Sequence, residues 1–486
     1  MEATTERHPR GIYTLFFTEM WERMSYYGMR GLLVLFMVDA VSRGGLGLSD
    51  EVATAIYGLY TAAVYLVALP GGWIADRLLG GQRAVWYGGC LITAGHFALA
   101  VPQVPFFFSG LLLVVLGTGL LKPNISTLVG QLYPEGGARR DAGFTLFYMG
   151  INLGAAIGPL VCSALGEKLN WHYGFGAAGI GMLAGLIQFR LTRHHLGTAG
   201  LVPPSPPENP GRLWLGVGLG LVAIALIAGL ALAGVLPLNP VWLASRTAAV
   251  IVGLALAYFG WVLLGVKLEP VERGRVIVII ILFLAAALFW SGYEQAGSSL
   301  NLFADRYTNR TVNGFEVPAG WFQSLPAIFV IVFAPVVAWI WLGLARRGRN
   351  PSLVVKLAWG LVLLSSSFLV LMIGSKRALA QGTVWPTWLI LTYLLQVFGE
   401  LLLSPVGLSS VTKLAPARLA GQMMGVWFLA ASLGNLLAGL LAGQVTGANA
   451  SAMPAQFLQV TLISGVAGAL LLVLARPIRR LMGGVT

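Results

Sequence analysis

Seven ionisable residues lie inside stretches of this 486-residue chain that are otherwise apolar: Glu19, Glu22, Arg23, Arg30, Lys122, Glu294 and Glu400. Charge within a membrane-type apolar run is costly, and residues of this kind face a protein interior or an aqueous cavity and mark ion or substrate paths. Four acids and three bases, drawn from both halves of the chain, exceed what one interhelical staple requires. The first apolar run is the most telling. At about 100° per residue, Glu19, Glu22, Arg23, Tyr26, Tyr27 and Arg30 share an arc of about 140° on one helix, in a stripe about 16 Å long that has to face away from lipid. Arg30 and Lys122 can hold a carboxylate, the arginine through a bidentate fork. Glu294 and Glu400 can meet an ammonium group or pair with those cations. A carboxylate taken out of water accepts a proton near neutral pH. The charge layout fits a zwitterionic solute carried with a proton, and Tyr26, Tyr27, Tyr65, Trp290 and Trp427 supply a partly apolar pocket beside it.

The elements that position these residues are membrane helices. Hydrophobic residues make up 57% of the chain and charged residues 10%, against about 25% charged in soluble domains. This excludes an ordinary soluble enzyme, a disordered tail and a coiled coil. A span needs roughly 20 apolar residues. Fourteen runs of that length are expected, among them 11–38, 52–75, 84–103, 105–131, 275–303, 319–345 and 455–475. Pro123, Pro159, Pro335 and Pro405 fall inside runs, where neighbouring helices re-satisfy the freed backbone groups. Counted over the loops, Lys and Arg favour one side by about three to one, which predicts both termini in the cytoplasm and a multi-pass protein of the plasma (bacterial inner) membrane. The net charge of +13 follows from this threading and does not call for nucleic acid. The first run carries charges too early for a signal-peptide core, so no cleavable signal is expected. Cys90 and Cys162 sit in apolar runs as inert thiols. Of the five histidines only His96 lies in a span, as a satisfied structural residue. No metal-ligand cluster, nucleophile–base pair or phosphate-binding glycine loop appears, which argues against a membrane enzyme. A channel is the other class to exclude, by saturable flux.

The runs divide as six, two and six. Residues 1–195 form an N-terminal six-helix bundle, 196–211 a Pro-rich, extended and solvated linker, 212–267 an additional helix pair, and 268–486 a C-terminal six-helix bundle. The two sixes echo each other. Lys122-Pro123 precedes Pro134 as Ser404-Pro405 precedes Pro416, and Asn152-Leu-Gly154 matches Ser432-Leu-Gly434. Parallel repeated halves are a transporter plan with the site at mid-membrane.

The residues then resemble a known family, the proton-coupled oligopeptide transporters of the major facilitator superfamily, in its bacterial fourteen-helix form. Glu19-Met-Trp-Glu22-Arg23-Met-Ser-Tyr26-Tyr27-Gly28 is similar to the family's first-helix motif. Gly71-Gly72-Trp-Ile-Ala75-Asp76-Arg77 through Arg83 is similar to the superfamily loop. Gly119-Leu-Leu-Lys122-Pro123-Asn124, Phe147-Tyr148-Met-Gly-Ile151-Asn152-Leu-Gly154, Phe289-Trp290-Ser-Gly-Tyr-Glu294-Gln295 and Gly399-Glu400-Leu-Leu-Leu-Ser404-Pro405 match further motifs. The resemblance implies an all-α membrane fold and a proton-coupled symporter of di- and tripeptides, not an enzyme, with no cofactor or metal and protons as the coupling ion. Membrane lipid surrounds it, nucleic acid is no partner, and the monomer is the functional unit. Proton coupling falls to Glu19, Glu22, Arg23, Lys122 and Glu294. Peptide binding falls to Tyr26, Tyr27, Arg30, Tyr65, Lys122, Asn152, Trp290, Glu294, Glu400 and Trp427. Arg30–Glu294 and Lys122–Glu400 are implied gate ion pairs, and Gly72, Asp76, Arg77 and Arg83 the cytoplasmic loop motif. Three departures stand out: Ser324-Leu325-Pro326 where relatives often carry Asn, Ala431 where they carry Ser, and Gly58 where animal members place His. A carrier of another zwitterion, an anion or a peptide-like drug on the same scaffold is the alternative. Glu19 and Glu22 beside Arg23 disfavour a simple anion carrier.

Overall fold

The computed structural model describes residues 7–349, 351–443 and 451–484, the side chains of 404–409, 412, 417 and 420 lying outside the description. The long helices are α1 (Gly11–Val38), α2 (Asp50–Ile74), α3 (Gly81–Leu99), α4 (Val104–Gln131), α5 (Gly137–Lys168), α6 (Trp171–Thr192), α7 (Pro210–Leu232), α8 (Pro240–Gly265), α9 (Pro270–Tyr293), α11 (Leu325–Arg346), α12 (Leu353–Gln381), α13 (Thr387–Leu414), α14 (Ala420–Gly443) and α15 (Met453–Val473), with the short α10 (Ser299–Tyr307) and α16 (Ala475–Leu481). Among the described residues, 11 helices are long and apolar enough to cross a membrane. The chain is a multi-pass, all-α membrane protein. Glu19, Glu22, Arg23 and Arg30 keep α1 outside that count, since each 18-residue stretch of it contains at least three of them.

The expected runs 275–303 and 319–345 both fall within candidate spans, Pro270–Tyr307 and Ala319–Arg346, but neither is a continuous α-helix. The run 275–303 is two helices: α9 ends at Tyr293, a 3-10 turn covers Glu294–Gly297, and α10 begins at Ser299. The break falls on an ionisable residue, Glu294, and Gly297 at its end lies so close to the Tyr57 ring that a Cβ there would overlap it. The run 319–345 opens as a 3-10 turn, and Pro326 falls in the first turn of α11. A missing N–H removes no intrahelical bond there.

Two compact units arise from the contacts. One holds the chain through Leu32 and Leu66–Asn239, the other Leu33–Tyr65 and the chain from Pro240 on. In the first unit, Ile12 and Leu15 of α1 pack with Val85, Ile92, Leu121 and Phe189. Helices α3 and α4 approach through paired glycines: a Cβ on Gly88 would stand 2.6 Å from the Gly117 carbonyl oxygen, and one on Gly110 2.7 Å from that of Gly95. Without a hydrophobic drive between helices in lipid, small residues that let backbones meet are what hold such pairs. The expected linker is only partly free. The Gln82 amide donates to the carbonyls of Gly197 (3.3 Å) and Ala199 (2.7 Å), the Gln82 backbone N–H donates to Gly200, and the Ser205 N–H donates to Asp76. Its first half is thus a strap docked on the α2–α3 connection. No residue of α7 is buried.

In the second unit, α12 packs on α13 and α15, and α9 on α14. Gly360 and Gly399 face one another across α12 and α13, each Cβ position within about 3 Å of the other's carbonyl. Helix α8 buries Ala244, Ala248, Ile251, Ala255, Phe259 and Val262, one face at helical spacing. A two-residue hairpin pairs Thr311–Val312 with Phe315–Glu316, turning through Asn313 and Gly314 at positive φ.

Candidate functional site

Helix α1 carries the ionisable stripe into the interior of the first unit. Glu19, Glu22, Arg23, Tyr26 and Arg30 are all buried, none more than 6% exposed. The Arg23 Nε lies 3.0 Å from a Glu19 oxygen and also contacts Glu22. Its guanidinium sits 5.4 Å from the centre of the Tyr26 ring, and that of Arg30 5.7 Å from the Tyr27 ring. The two tyrosines pack edge to face at 5.3 Å. Both Glu22 oxygens and one Glu19 oxygen are buried with no hydrogen-bond donor among the described residues. Buried carboxylates that are charge-paired but short of further donors bear a desolvation cost.

Helix α5 packs closely against α1. A Cβ on Gly154 would overlap the Met20 carbonyl oxygen and lie 2.9 Å from both the Arg23 Cβ and the Met24 nitrogen, and Gly158 and Gly28 repeat the close approach further along. This backbone-to-backbone contact seats α5 directly on α1 beside Arg23. Asn152 is buried, and its amide donates to the Tyr148 carbonyl of its own helix. Lys122 is half-buried on α4. Asp76, Arg77 and Arg83 of the loop motif are exposed, and a Cβ on Gly72 would touch Pro123 at 3.7 Å.

The second unit holds the other residues. Trp290 and Glu294 stand at the end of α9, Glu400 on α13, Trp427 on α14 and Tyr65 on α2; Glu294 is buried and the rest are half-buried. Tyr293 donates its hydroxyl to the Glu400 carboxylate and stacks on Phe289 while meeting Trp290 edge to face. The Tyr57 hydroxyl donates to the Glu294 carbonyl at 3.5 Å. Gly434 of α14 repeats the Gly154 contact: a Cβ on it would lie 2.9 Å from the Ala287 carbonyl oxygen, 2.6 Å from the Trp290 Cβ and 3.2 Å from the Ser291 nitrogen. In both units the fifth helix of the bundle meets the first at a carbonyl, the Cβ three residues on and the nitrogen four residues on. The sequence echo of Asn152-Leu-Gly154 and Ser432-Leu-Gly434 is therefore a packing echo. Ser404 and Pro405, part of the other echo, fall where side chains lie outside the described residues.

Sequence reasoning passed over Tyr293, Tyr57 and an ion pair at the start of α2, where Arg306 holds Asp50 through two bonds of 2.6 and 2.8 Å. Tyr293 stands one turn from Trp290, and that spacing could have found it. Nothing local marks Asp50 and Arg306 as partners. His96 needs correcting: it is fully buried, and among the described residues neither ring nitrogen has a hydrogen-bond partner. Cys90 and Cys162 are free thiols, Cys162 buried against Gly28.

The chain is similar to known proteins over nearly its whole length. The family model of the POT family matches residues 82–458. A peptide transporter of Yersinia enterocolitica is 45% identical, with 98% of this chain and 95% of the relative covered. A di-/tripeptide transporter of Lactococcus lactis is 38% identical, covering 100% and 98%. Among solved structures, a peptide transporter POT in complex with sulfate superposes with a TM-score of 0.91 at 44% identity, over 98% of this chain and 96% of that one. A mutant of a peptide transporter POT in complex with alafosfalin gives 0.90 at 43% identity, over the same shares. The chain belongs to the POT family.

Proposed function

We propose that the chain is a proton-coupled symporter that imports di- and tripeptides by alternating access, working as a monomer with both termini in the cytoplasm and no cofactor beyond the coupling proton. The observation that carries this reading is the buried Glu19–Glu22–Arg23 cluster on α1, two carboxylates held against one guanidinium away from water. Peptide transport by relatives that cover the whole chain supports it. Protonation of that cluster and of Glu294 releases Arg30 and Lys122 from the implied pairs Arg30–Glu294 and Lys122–Glu400. The cations then take the peptide carboxylate, and Glu400 takes the amino end. Tyr26, Tyr27, Tyr65, Asn152, Trp290 and Trp427 line the peptide, held at both ends with a loose middle. This accounts for tolerance of side chains and a limit of two or three residues. Peptide and proton drive closure together only through a difference in affinity between the two states.

Uptake into proteoliposomes, with and without an inward proton gradient, tests the reading against a panel of amino acids, dipeptides, tripeptides and longer peptides. Accumulation of di- and tripeptides alone, dependent on the gradient and lost in K122A, is expected. Full accumulation by K122A or E294Q would remove those residues from the proton path. R30A should weaken dipeptides and leave carboxyl-blocked analogues nearly unchanged.

A further inference from the structure

One cavity of about 610 Å³ in the first unit lies apart from the proton-coupling and peptide-binding residues and shares only Arg83 with the cytoplasmic loop motif. It opens where the end of α6 and the turn after it approach the start of α3, and Arg83, Arg190, Arg193 and His194 line it with no carboxylate among the lining residues. No ion pair among the described residues uses Arg83, Arg190 or Arg193. The walls are fixed. Gln82, only 6% exposed, ties α3 to the strap through its side-chain bonds to Gly197 and Ala199, and its own N–H donates to Gly200 at 3.0 Å. Gly197 and Gly200 both adopt positive φ, which holds the strap in a shape other residues rarely take. The His194 ring packs against that of His195 with centroids 4.0 Å apart. A concave site on a fixed backbone, lined by three guanidiniums and an imidazole with no acid among its lining residues, matches a phosphate group, whose oxygens accept several such donors at once. Two lining residues are apolar and open to the surroundings: Leu191 is 67% exposed and Leu201 47%. They would suit acyl chain beside the headgroup and give a soluble anion nothing.

We infer that this cavity binds the phosphate of an anionic phospholipid at the membrane surface, separate from the transport path. Inorganic phosphate carries the same chemistry, so the test has an arm for each source. The purified full-length protein would be placed in nanodiscs of phosphatidylcholine alone or with phosphatidylglycerol, and separately exposed to inorganic phosphate in phosphatidylcholine. Lipid retention by native mass spectrometry and the thermal midpoint would be measured. Phosphatidylglycerol is expected to be retained and to raise the midpoint. R190Q/R193Q should weaken retention about 30-fold, the loss expected when two cations leave an anionic interface, and R190K/R193K should keep most of it. Dipeptide binding by each variant certifies its fold. A response to inorganic phosphate equal to that for phosphatidylglycerol would overturn the lipid assignment. Equal retention of both lipids, or undiminished retention by R190Q/R193Q, would overturn the site itself.

Discussion

Gly154 of α5 lies against the backbone of Met20 on α1 with no room for a methyl group between them. The contact fixes where α1 turns its Glu19, Glu22 and Arg23. Gly434 does the same for α9 at Ala287, with more clearance, 2.9 Å against an overlap at Gly154.

Both G154A and G434A should lower stability, G154A by more. Overpacking a close helix contact costs about 1–3 kcal/mol, part of it offset by the helix preference of Ala over Gly, about 1 kcal/mol. Thermal unfolding in one detergent checks the order. Equal midpoints would overturn the order, and midpoints unchanged from the parent would show that α5 and α14 are not held at these glycines.

Removing the central cation of the α1 cluster leaves two buried carboxylates uncompensated. R23Q is expected to lose about 3–5 kcal/mol, as when one partner of a buried pair is deleted. The triple variant E19Q/E22Q/R23Q should recover part of that stability and none of the gradient-driven accumulation. Unfolding midpoints and proteoliposome uptake separate the two effects.

Tyr293 orients Glu400 through its hydroxyl. Y293F removes a hydrogen bond to a charged group, an interaction of about 1.5–3 kcal/mol. The expected outcome is a KM for dipeptide raised about tenfold with little change in maximal rate, while N-acetylated dipeptides lose less. Uptake kinetics over a concentration series read the split.

Arg306 of α10 and Asp50 of α2 hold the start of α2 in place. D50N and R306Q should each lower the unfolding midpoint, by about 1–3 kcal/mol for a bidentate charged contact that is largely buried on the acid side. The reversal D50R/R306D should restore most of the loss. A midpoint for the reversed pair no better than for either single variant would count against the contact.

Gly58 has a reason to be glycine. A Cβ there would stand 3.1 Å from the Gly439 Cα and 3.2 Å from the Leu436 carbonyl oxygen, and one on Gly439 would overlap the Thr54 carbonyl and stand 2.7 Å from the Gly58 Cα. G58A should therefore be tolerated after a small shift and G439A poorly, while G58H, which would install an imidazole at this contact, should yield little folded protein. Fluorescence-detected size exclusion of the three variants checks the order.

Much of this was legible in the chain. The helices, their number and the polar stripe of α1 are written in hydropathy and period, because a membrane span has to be apolar and any charge inside one is conspicuous. The run through 275–303 is a span as expected, but the 3-10 turn at Glu294–Gly297 inside it could not be read from hydropathy, since the Tyr57 hydroxyl and ring that meet this turn come from a different helix. His96 misled for a similar reason: a lone histidine in a span looks satisfied until its neighbours are known.

What the sequence determined by itself is which residues are charged where charge is costly, and hence that the chain crosses a membrane and carries a polar solute with a proton. What only the tertiary structure decided is who meets whom: Arg306 with Asp50, Tyr293 with Glu400, the strap with Gln82, and the glycines that let α5 seat on α1 and α14 on α9. The physical reason is that burial cost is a property of each residue and its immediate neighbours in the chain. A hydrogen bond or a backbone contact is a property of two segments brought together by packing, and no periodicity in either segment specifies its partner.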